Sequence, residues 1–439
     1  MQVVDESIFY ASGGDKWRLK LIRFHTMRDW MKKELNVQKC LQISCVWYVI
    51  SFTLISRKHS LKFASEISGK DKSLFSRLLK NNSDVAVFTL KDLSKRTAKR
   101  FSKALKALKS LPWKVALIVD QTGQGRSSLH SQNVQRLNHG QGFFVGHQWT
   151  NIVLLVGDLI IPLLPIPFYT RKYCKENKLE YKSEHVRVAE YLQAMDLGEY
   201  IEGYHPEEVV VLADSGYDDK KIQKTILDKG WDFVMALKKK RSVKSITEQL
   251  KTKPSQGWSQ VQVFFKAHRR LAWETVRLFT SGTKKRRKEF RIRHTMAWLK
   301  AVGQIQVVCS ERKNAPGGER KYFACSHLTI SPGQILIAYS LRWKVELFHK
   351  AIKMHLGFED VSTVSFDSVV SHVHWVYCAY ILLMVELPGV PSSARTIAER
   401  QRYVMSVLEH KEKANLLQRL TRINGPKQLK NELKEALAA

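Results

Sequence analysis

Three carboxylates stand out by their surroundings. Asp120 follows an apolar, β-branched run at 114–119 (KVALIV), and Asp214 follows a second at 208–212 (EVVVL). In both places a buried strand would deliver a carboxylate to its end, and Gly123 would break the first strand soon afterwards. Glu346 lies in residues 339–353 (YSLRWKVELFHKAIK), read as one helix on which Tyr339, Arg342, Glu346 and Lys353 follow at spacings of 3, 4 and 7. Steps of that size return to nearly the same helix face, so the four side chains would line one edge. Leu341, Val345, Phe348 and Ile352 form an adjacent strip suited to docking on a core. From spacing alone, Glu346 reads first as an i,i+4 partner of Arg342 or Lys350 on a basic amphipathic helix.

Buried carboxylates without a partner are costly, so a set of three calls for a cation to keep them ionised. Hard oxygen ligands in low number suit Mg²⁺ or Mn²⁺, with phosphate oxygens and water completing the octahedron. Two such ions per site, about 4 Å apart, would activate water or a 3′-hydroxyl and stabilise the leaving oxygen of a phosphodiester. Arg342 and Lys353 would then bind non-bridging phosphate oxygens. Asp218 and Asp219 rival Asp214, but they fall where a helix would begin and read as capping residues.

The rest of the chain fits such a substrate. It has 439 residues, 44% hydrophobic and 10% aromatic, enough for two or three folded domains. Its 73 Lys and Arg against 40 Asp and Glu give a formal charge of +33, which implies a polyanionic partner. Residues 238–294 hold 18 Lys or Arg against three Glu. There the pattern turns to β-type alternation (WSQVQVFF, TVRLF, FRIRH, QIQVVC, KYFACS), with basic loops at 238–241, 268–270 and 284–288. This reads as an antiparallel β insertion with a nucleic-acid surface that includes Lys238, Lys239, Lys240 and Arg241.

Residues 60–82 have the shape of a helix-turn-helix, or equally of an ordinary helical hairpin. A first helix runs through Phe63 and Ile67, Gly69 sits in the turn, and a second helix carries Lys72, Ser73, Ser76 and Arg77 for a major groove. Residues 95–109 (KRTAKRFSKALKALK) continue as a basic amphipathic helix. Runs at 143–145, 151–156 and 159–168 look like neighbouring strands, with a turn at Gly157-Asp158.

The expected organisation has five parts. They are a helical DNA-binding region at 1–110, the first part of an α/β catalytic core at 111–240, the β insertion at 241–325, the second part of the core at 326–390 and a helical tail at 391–439. Apolar stretches at 40–56 and 373–385 fall short of the roughly 20 clean apolar residues a membrane span needs and read as core helices. No secretory signal opens the sequence, and six scattered cysteines without a CxxC pair favour reduced thiols in a cytoplasm.

The order Asp, Asp, then Tyr-x2-Arg-x3-Glu-x6-Lys resembles the DDE transposases of bacterial insertion sequences, specifically the cut-and-paste, hairpin-forming group with the YREK signature. VDQTG around Asp120 and ADSGYDD around Asp214 resemble that family's two aspartate motifs, and the similarity covers roughly residues 115–384. The resemblance implies an RNase H-like mixed-sheet domain interrupted by the insertion, with Asp120, Asp214 and Glu346 as a metal-binding catalytic triad. It further implies excision through DNA hairpins, strand transfer into target DNA, and a homodimer on paired double-stranded ends, with no membrane. Hairpin formation needs an aromatic side chain to stack a flipped base. Trp343 matches one such position, and Tyr322 or Trp298 stands near another. Tyr339 would contact a phosphate near the hairpin. The other readings are an RNase H-like nuclease or resolvase that cuts without joining, and a domesticated, non-catalytic DNA-binding regulator. In each case the protein would be cytoplasmic, bacterial and DNA-associated.

Overall fold

Thirteen strands form one mixed sheet in the computed structural model, which describes residues 24–407 apart from 104–107, 109–110, 127–129, 140–141, 280–286, 317, 388–389 and 392. The chain divides into two compact units. One contains residues 94–350, and the other contains residues up to 93 together with those from 351 onward.

The 94–350 unit contains the whole sheet. Its strands are β1 (Val115–Gly125), β2 (Gln135–His139), β3 (Gly142–Val156), β4 (Leu159–Pro162), β5 (Ile166–Pro167), β6 (Val209–Ala213), β7 (Asp232–Leu237), β8 (Ser242–Ser245), β9 (Ser259–Gln260), β10 (Glu274–Phe279), β11 (Arg287–Leu299), β12 (Gly303–Arg312) and β13 (Lys321–Cys325). Along the sheet the order is β2-β3-β1-β6-β7-β13-β12-β11-β8-β9, with β4 and β5 on β3 and β10 on β11. β1, β6 and β7 are parallel neighbours, and the other pairings are antiparallel. The central strands are apolar throughout because the sheet buries both faces there, as the continuous burial of Val209–Ala213 reflects.

Several expectations are corrected here. β1 does not end at Asp120. It runs on to Gly125 because the 15-residue β3 pairs with it along its full length. Gly123 breaks nothing; a Cβ there would run into the ring of Phe144, so glycine lets the two strands close up. Residues 143–145 and 151–156 belong to this one strand β3, and the turn at Gly157, with φ +61°, leads into β4 as expected. WSQVQVFF is not a strand: only Ser259–Gln260 pair, and Val261–Ala267 is a helix that buries Val261, Phe264 and Phe265. Those three stand at i, i+3 and i+4, a helical face that the alternation disguised. The other four strands expected for the insertion do form, yet β13 pairs with β7 as well as β12, so they extend the central sheet. Part of the 284–288 loop lies outside the described residues, and Arg287 and Lys288 belong to β11.

The other unit is helical. Helices Leu61–Ser68 and Lys72–Asn81 flank Gly69, whose φ of +62° makes the turn, and they take side-chain caps from Ser60 and Asp71. Phe75, Leu78 and Leu79 face inward, while Lys72, Ser73, Ser76 and Arg77 are exposed. The two apolar stretches are the helices Lys39–Thr53 and Phe366–Ile381, which pack together. Phe366–Val385 has the length and apolarity to cross a membrane, but most of it is buried in this unit, and Tyr48 and His372 hydrogen-bond at 2.8 Å within the packing. Among the cysteines, all free, only Cys40 is exposed. Most of the expected C-terminal tail, from 408 onward, lies outside the described residues, as do residues 1–23.

Candidate active site

β1 and β6 place two of the carboxylates side by side. Their parallel register ends at Val119 opposite Ala213, so Asp120 and Asp214 are the next residues on adjacent strands, which run about 5 Å apart. Asp120 is 7% exposed. Asp214 lies at the turn where β6 stops; its Oδ1 accepts the Gly216 N–H at 2.8 Å and so caps the short helix Ser215–Tyr217. A Cβ on Gly216 would stand 2.9 Å from that oxygen, so the turn favours glycine.

Glu346 arrives from the opposite end of the sequence. The expected single helix is two, Pro332–Leu341 and Trp343–His355, joined at Arg342. The break leaves Arg342 half-buried, and its Nη1 donates to Asp120 Oδ2 and Glu346 Oε1, each at 3.3 Å. The i,i+4 pairing with Glu346 is therefore present, but the same guanidinium also reaches the core strand.

The site includes a residue that the sequence reading missed. His349, one helical turn after Glu346 and buried, contacts Asn151 Nδ2 through its Nε2 at 2.9 Å and turns Nδ1 toward Asp120 Oδ2 at 3.9 Å. Asn151 is the residue paired with Asp120 across β1 and β3. Potential ligand atoms of Asp120, Glu346 and His349 lie within 4.8 Å of one another, and Asp214 stands outside that group. The Glu-x-x-His spacing was the available signal, since i and i+3 share a helix face.

Burial pushes the Asp120 carboxyl up to about 7; Arg342 pulls it down, and Glu346 and Asp214 raise it again. Burial works against the Arg342 charge, but Asp120, Tyr339 and Glu346 outweigh it and leave that pKa raised. Two carboxylates and an imidazole converging around an uphill aspartate form a donor set that fits a divalent cation.

A second group that the sequence reading missed braces the site. Glu184 opens the helix Glu184–Ala194 and accepts from Thr150 Oγ1 at 2.6 Å, Tyr217 OH at 2.8 Å and Gln148 Nε2 at 3.0 Å. It thereby ties the Asp214 turn to β3. His185, next to it, contacts the Gly216 carbonyl oxygen at 2.8 Å.

The remaining candidates divide. Tyr339 lies near Arg342, whose guanidinium is 5.8 Å from its ring, and packs on Phe323. Trp343 is 59% exposed beside the site. Tyr322 is buried with its ring stacked on Phe265, and this packing removes the open face that a flipped base requires. Trp298 is half-buried in β11 between Lys244 and Gln304. Lys238, Lys239 and Lys240 are exposed on a turn. Arg241 is committed differently: its Nε pairs at 3.3 Å with Asp218, whose side chain is fully buried, and its Nη2 donates to Gln223 at 3.0 Å. Asp218 is therefore a structural anion and not a helix cap, whereas Asp219 does cap the helix Lys220–Asp228. Lys353 lies seven residues beyond Glu346 on the same helix, past the division at 350/351.

Residues 192–382 match the family model of the transposase DDE domain. The match takes in Asp214, Glu346 and Arg342 and begins after Asp120. It supports transposase function, polynucleotidyl-transfer chemistry and DNA as the partner, in keeping with the mixed α/β sheet. No curated protein matches the chain.

Proposed function

We propose that the chain is a DDE transposase that moves an insertion sequence by cut-and-paste, through hairpin-ended intermediates, as a homodimer on paired DNA ends. The observation that carries this reading is the convergence of Asp120 and Glu346 with His349, beside Asp214 on the adjoining parallel strand. The match over residues 192–382 supports it independently.

Asp120, Asp214 and Glu346 would hold Mg²⁺ or Mn²⁺, which supplies Lewis-acid activation of water or a 3′-hydroxyl and stabilises the leaving oxygen. The chain's own cations handle the phosphate. Arg342, already between two carboxylates, is placed to bind a non-bridging oxygen, and Lys353 and Tyr339 serve the neighbouring phosphates. Trp343, exposed on the next turn, is the stacking side chain this reading favours over Tyr322. Lys238, Lys239 and Lys240 track the backbone, and Lys72, Ser73, Ser76 and Arg77 read the ends.

The test incubates purified protein with its flanking genomic DNA and Mg²⁺ or Mn²⁺ and resolves the products on denaturing gels. Asp120→Asn, Asp214→Asn and Glu346→Gln should each keep end binding and lose cleavage, while the unaltered chain yields hairpin-ended fragments. Full cleavage by any one variant would remove that residue from the triad. Cleavage without transfer into a target plasmid would indicate a nuclease.

A further inference from the structure

A cleft of about 960 Å³ opens in the 94–350 unit away from the three carboxylates, between the β2–β3 hairpin and the segment around 168–181. Its lining combines charge with rings. Arg136, Arg171 and Lys172 face Glu176, which Lys172 partly offsets at 3.9 Å. Both arginines lie over aromatic faces: Arg171 is 4.2 Å from the ring centroid of Tyr181, which lines the cleft, and Arg136 is 3.7 Å from that of Phe143, which stands beside the lining and not in it. Phe143 is 60% exposed, so the ring face not under the Arg136 guanidinium is open to solvent. Gln135 and Gln132 add amide groups that can meet base edges.

We propose that this cleft binds unpaired DNA, with bases stacking at Tyr181 in its lining and at Phe143 beside it, and phosphates paired to Arg136, Arg171 and Lys172. Rings alternating with cations characterise single-strand binding, in which stacking tolerates any base and the cations follow the backbone. A duplex does not suit the site, because its bases are already stacked on one another and its rigid backbone cannot fold into a cleft of this size. The location fits as well. Gly146 on β3 pairs with Gln135 of the cleft wall and lies five residues from Asn151, the partner of Asp120. At 3.4 Å per residue that is roughly 17 Å along the strand from the residue that faces Asp120, a span that a few nucleotides of unpaired strand can cover. The proposal rests on the transposase reading, and it assigns the cleft to the strand left unpaired when an end is opened at the active site.

The test uses the full chain and fluorescence anisotropy with a labelled 20-nucleotide oligo(dT) and a duplex of equal length, at fixed salt and without divalent metal. Phe143→Ala with Tyr181→Ala should weaken oligo(dT) binding tenfold or more and leave duplex binding within about twofold. Phe143→Trp, which keeps a ring, should bind as the unaltered chain does, and Arg136→Ala with Arg171→Ala should lower the salt dependence of oligo(dT) binding. An oligo(dT) affinity that none of these changes moves overturns the cleft assignment, and so does a loss equal for both DNA forms. Unaltered protein that binds the duplex but not oligo(dT) overturns the cleft alone. Protein that binds neither overturns the transposase reading.

Discussion

Arg342 Nη1 lies 3.3 Å from Asp120 Oδ2, although 222 residues separate the two in the chain. The guanidinium also meets Glu346, so it neutralises the two carboxylates that would otherwise receive a metal. Its removal should act in opposite directions on binding and chemistry. Arg342→Ala should bind Mn²⁺ more tightly in the absence of DNA, because the ion no longer competes with a fixed cation. Strand cleavage should fall by about 10²-fold or more, the range for losing one positioned donor to a developing charge. Titration calorimetry and a cleavage assay read the two effects; unchanged Mn²⁺ affinity would show that Arg342 does not share the metal's ligands.

The pKa of Asp120 sets a pH dependence of stability. Its folded value of about 7 stands above the ordinary aspartate value of 3.8, so between them the native state holds a proton that the unfolded chain has lost. Stability contributed by this group therefore falls as pH rises from about 4 to about 7, and above pH 7 the penalty is complete. At 1.36 kcal/mol per unit it is on the order of 4 kcal/mol before relaxation or metal binding. Thermal unfolding without metal should show Asp120→Asn flattening that slope and melting above the unaltered chain at pH 8. Mn²⁺ should raise the midpoint of the unaltered chain more than that of the variant.

His349 should behave as a member of the site and not as core filling. His349→Gln should lower metal affinity by roughly 10–100-fold, the range for a supporting or direct imidazole, with little change in unfolding midpoint. If Nδ1 is a ligand, the electron spin resonance spectrum of bound Mn²⁺ will carry a nitrogen coupling that the variant lacks.

How much of this was legible depends on whether the signal was local. Asp120 and Asp214 stood out because buried parallel strands read as apolar runs, whereas Glu346 drew attention only beside those two, since spacing alone favoured a plain ion pair and the helix breaks at Arg342. The two helices around Gly69 were legible for a related reason, since that glycine marks the turn between two short amphipathic stretches. His349 was hidden by Phe348: beside a core phenylalanine it reads as another buried ring, and only its meeting with Asn151 gives it a role. The pairing of β13 with β7 joins residues 85 to 91 positions apart, from Tyr322–Leu237 to Cys325–Val234, and no local pattern encodes that register. Glu184 was invisible because its three donors come from β3 and the Asp214 turn, brought together only by the fold.

Arg241 and Lys239 stand two residues apart in a basic turn, yet they should fail differently. Arg241→Ala leaves Asp218 buried without its cation and should cost roughly 3 kcal/mol of stability, near the low end for breaking a buried pair because Arg241 is partly exposed. Lys239→Ala should leave urea unfolding unchanged and reduce the salt slope of DNA binding by about one. Equal stability of the two variants would place Arg241 with the surface lysines.

The helix Lys72–Asn81 presents Ser76 and Arg77 to solvent on the face opposite buried Phe75, Leu78 and Leu79. Asp71 caps its first turn by accepting the Ser73 N–H at 2.7 Å, so the helix start is fixed where a groove-reading helix needs to be rigid. If this face reads bases, Arg77→Ala should cost about 1–3 kcal/mol of discrimination between the cognate terminal sequence and a scrambled duplex, with scrambled binding nearly unchanged. A phosphate contact would weaken both by the same factor, because the backbone is identical in the two. Competition binding at constant salt separates the outcomes, and Ser76→Ala tests whether the reading extends along the helix. Leu78→Ala serves as the contrasting control: its side chain is buried, so it should lower the unfolding midpoint of this unit by creating a cavity. A selective loss of cognate affinity in Arg77→Ala at an unaltered midpoint would therefore come from recognition and not from folding.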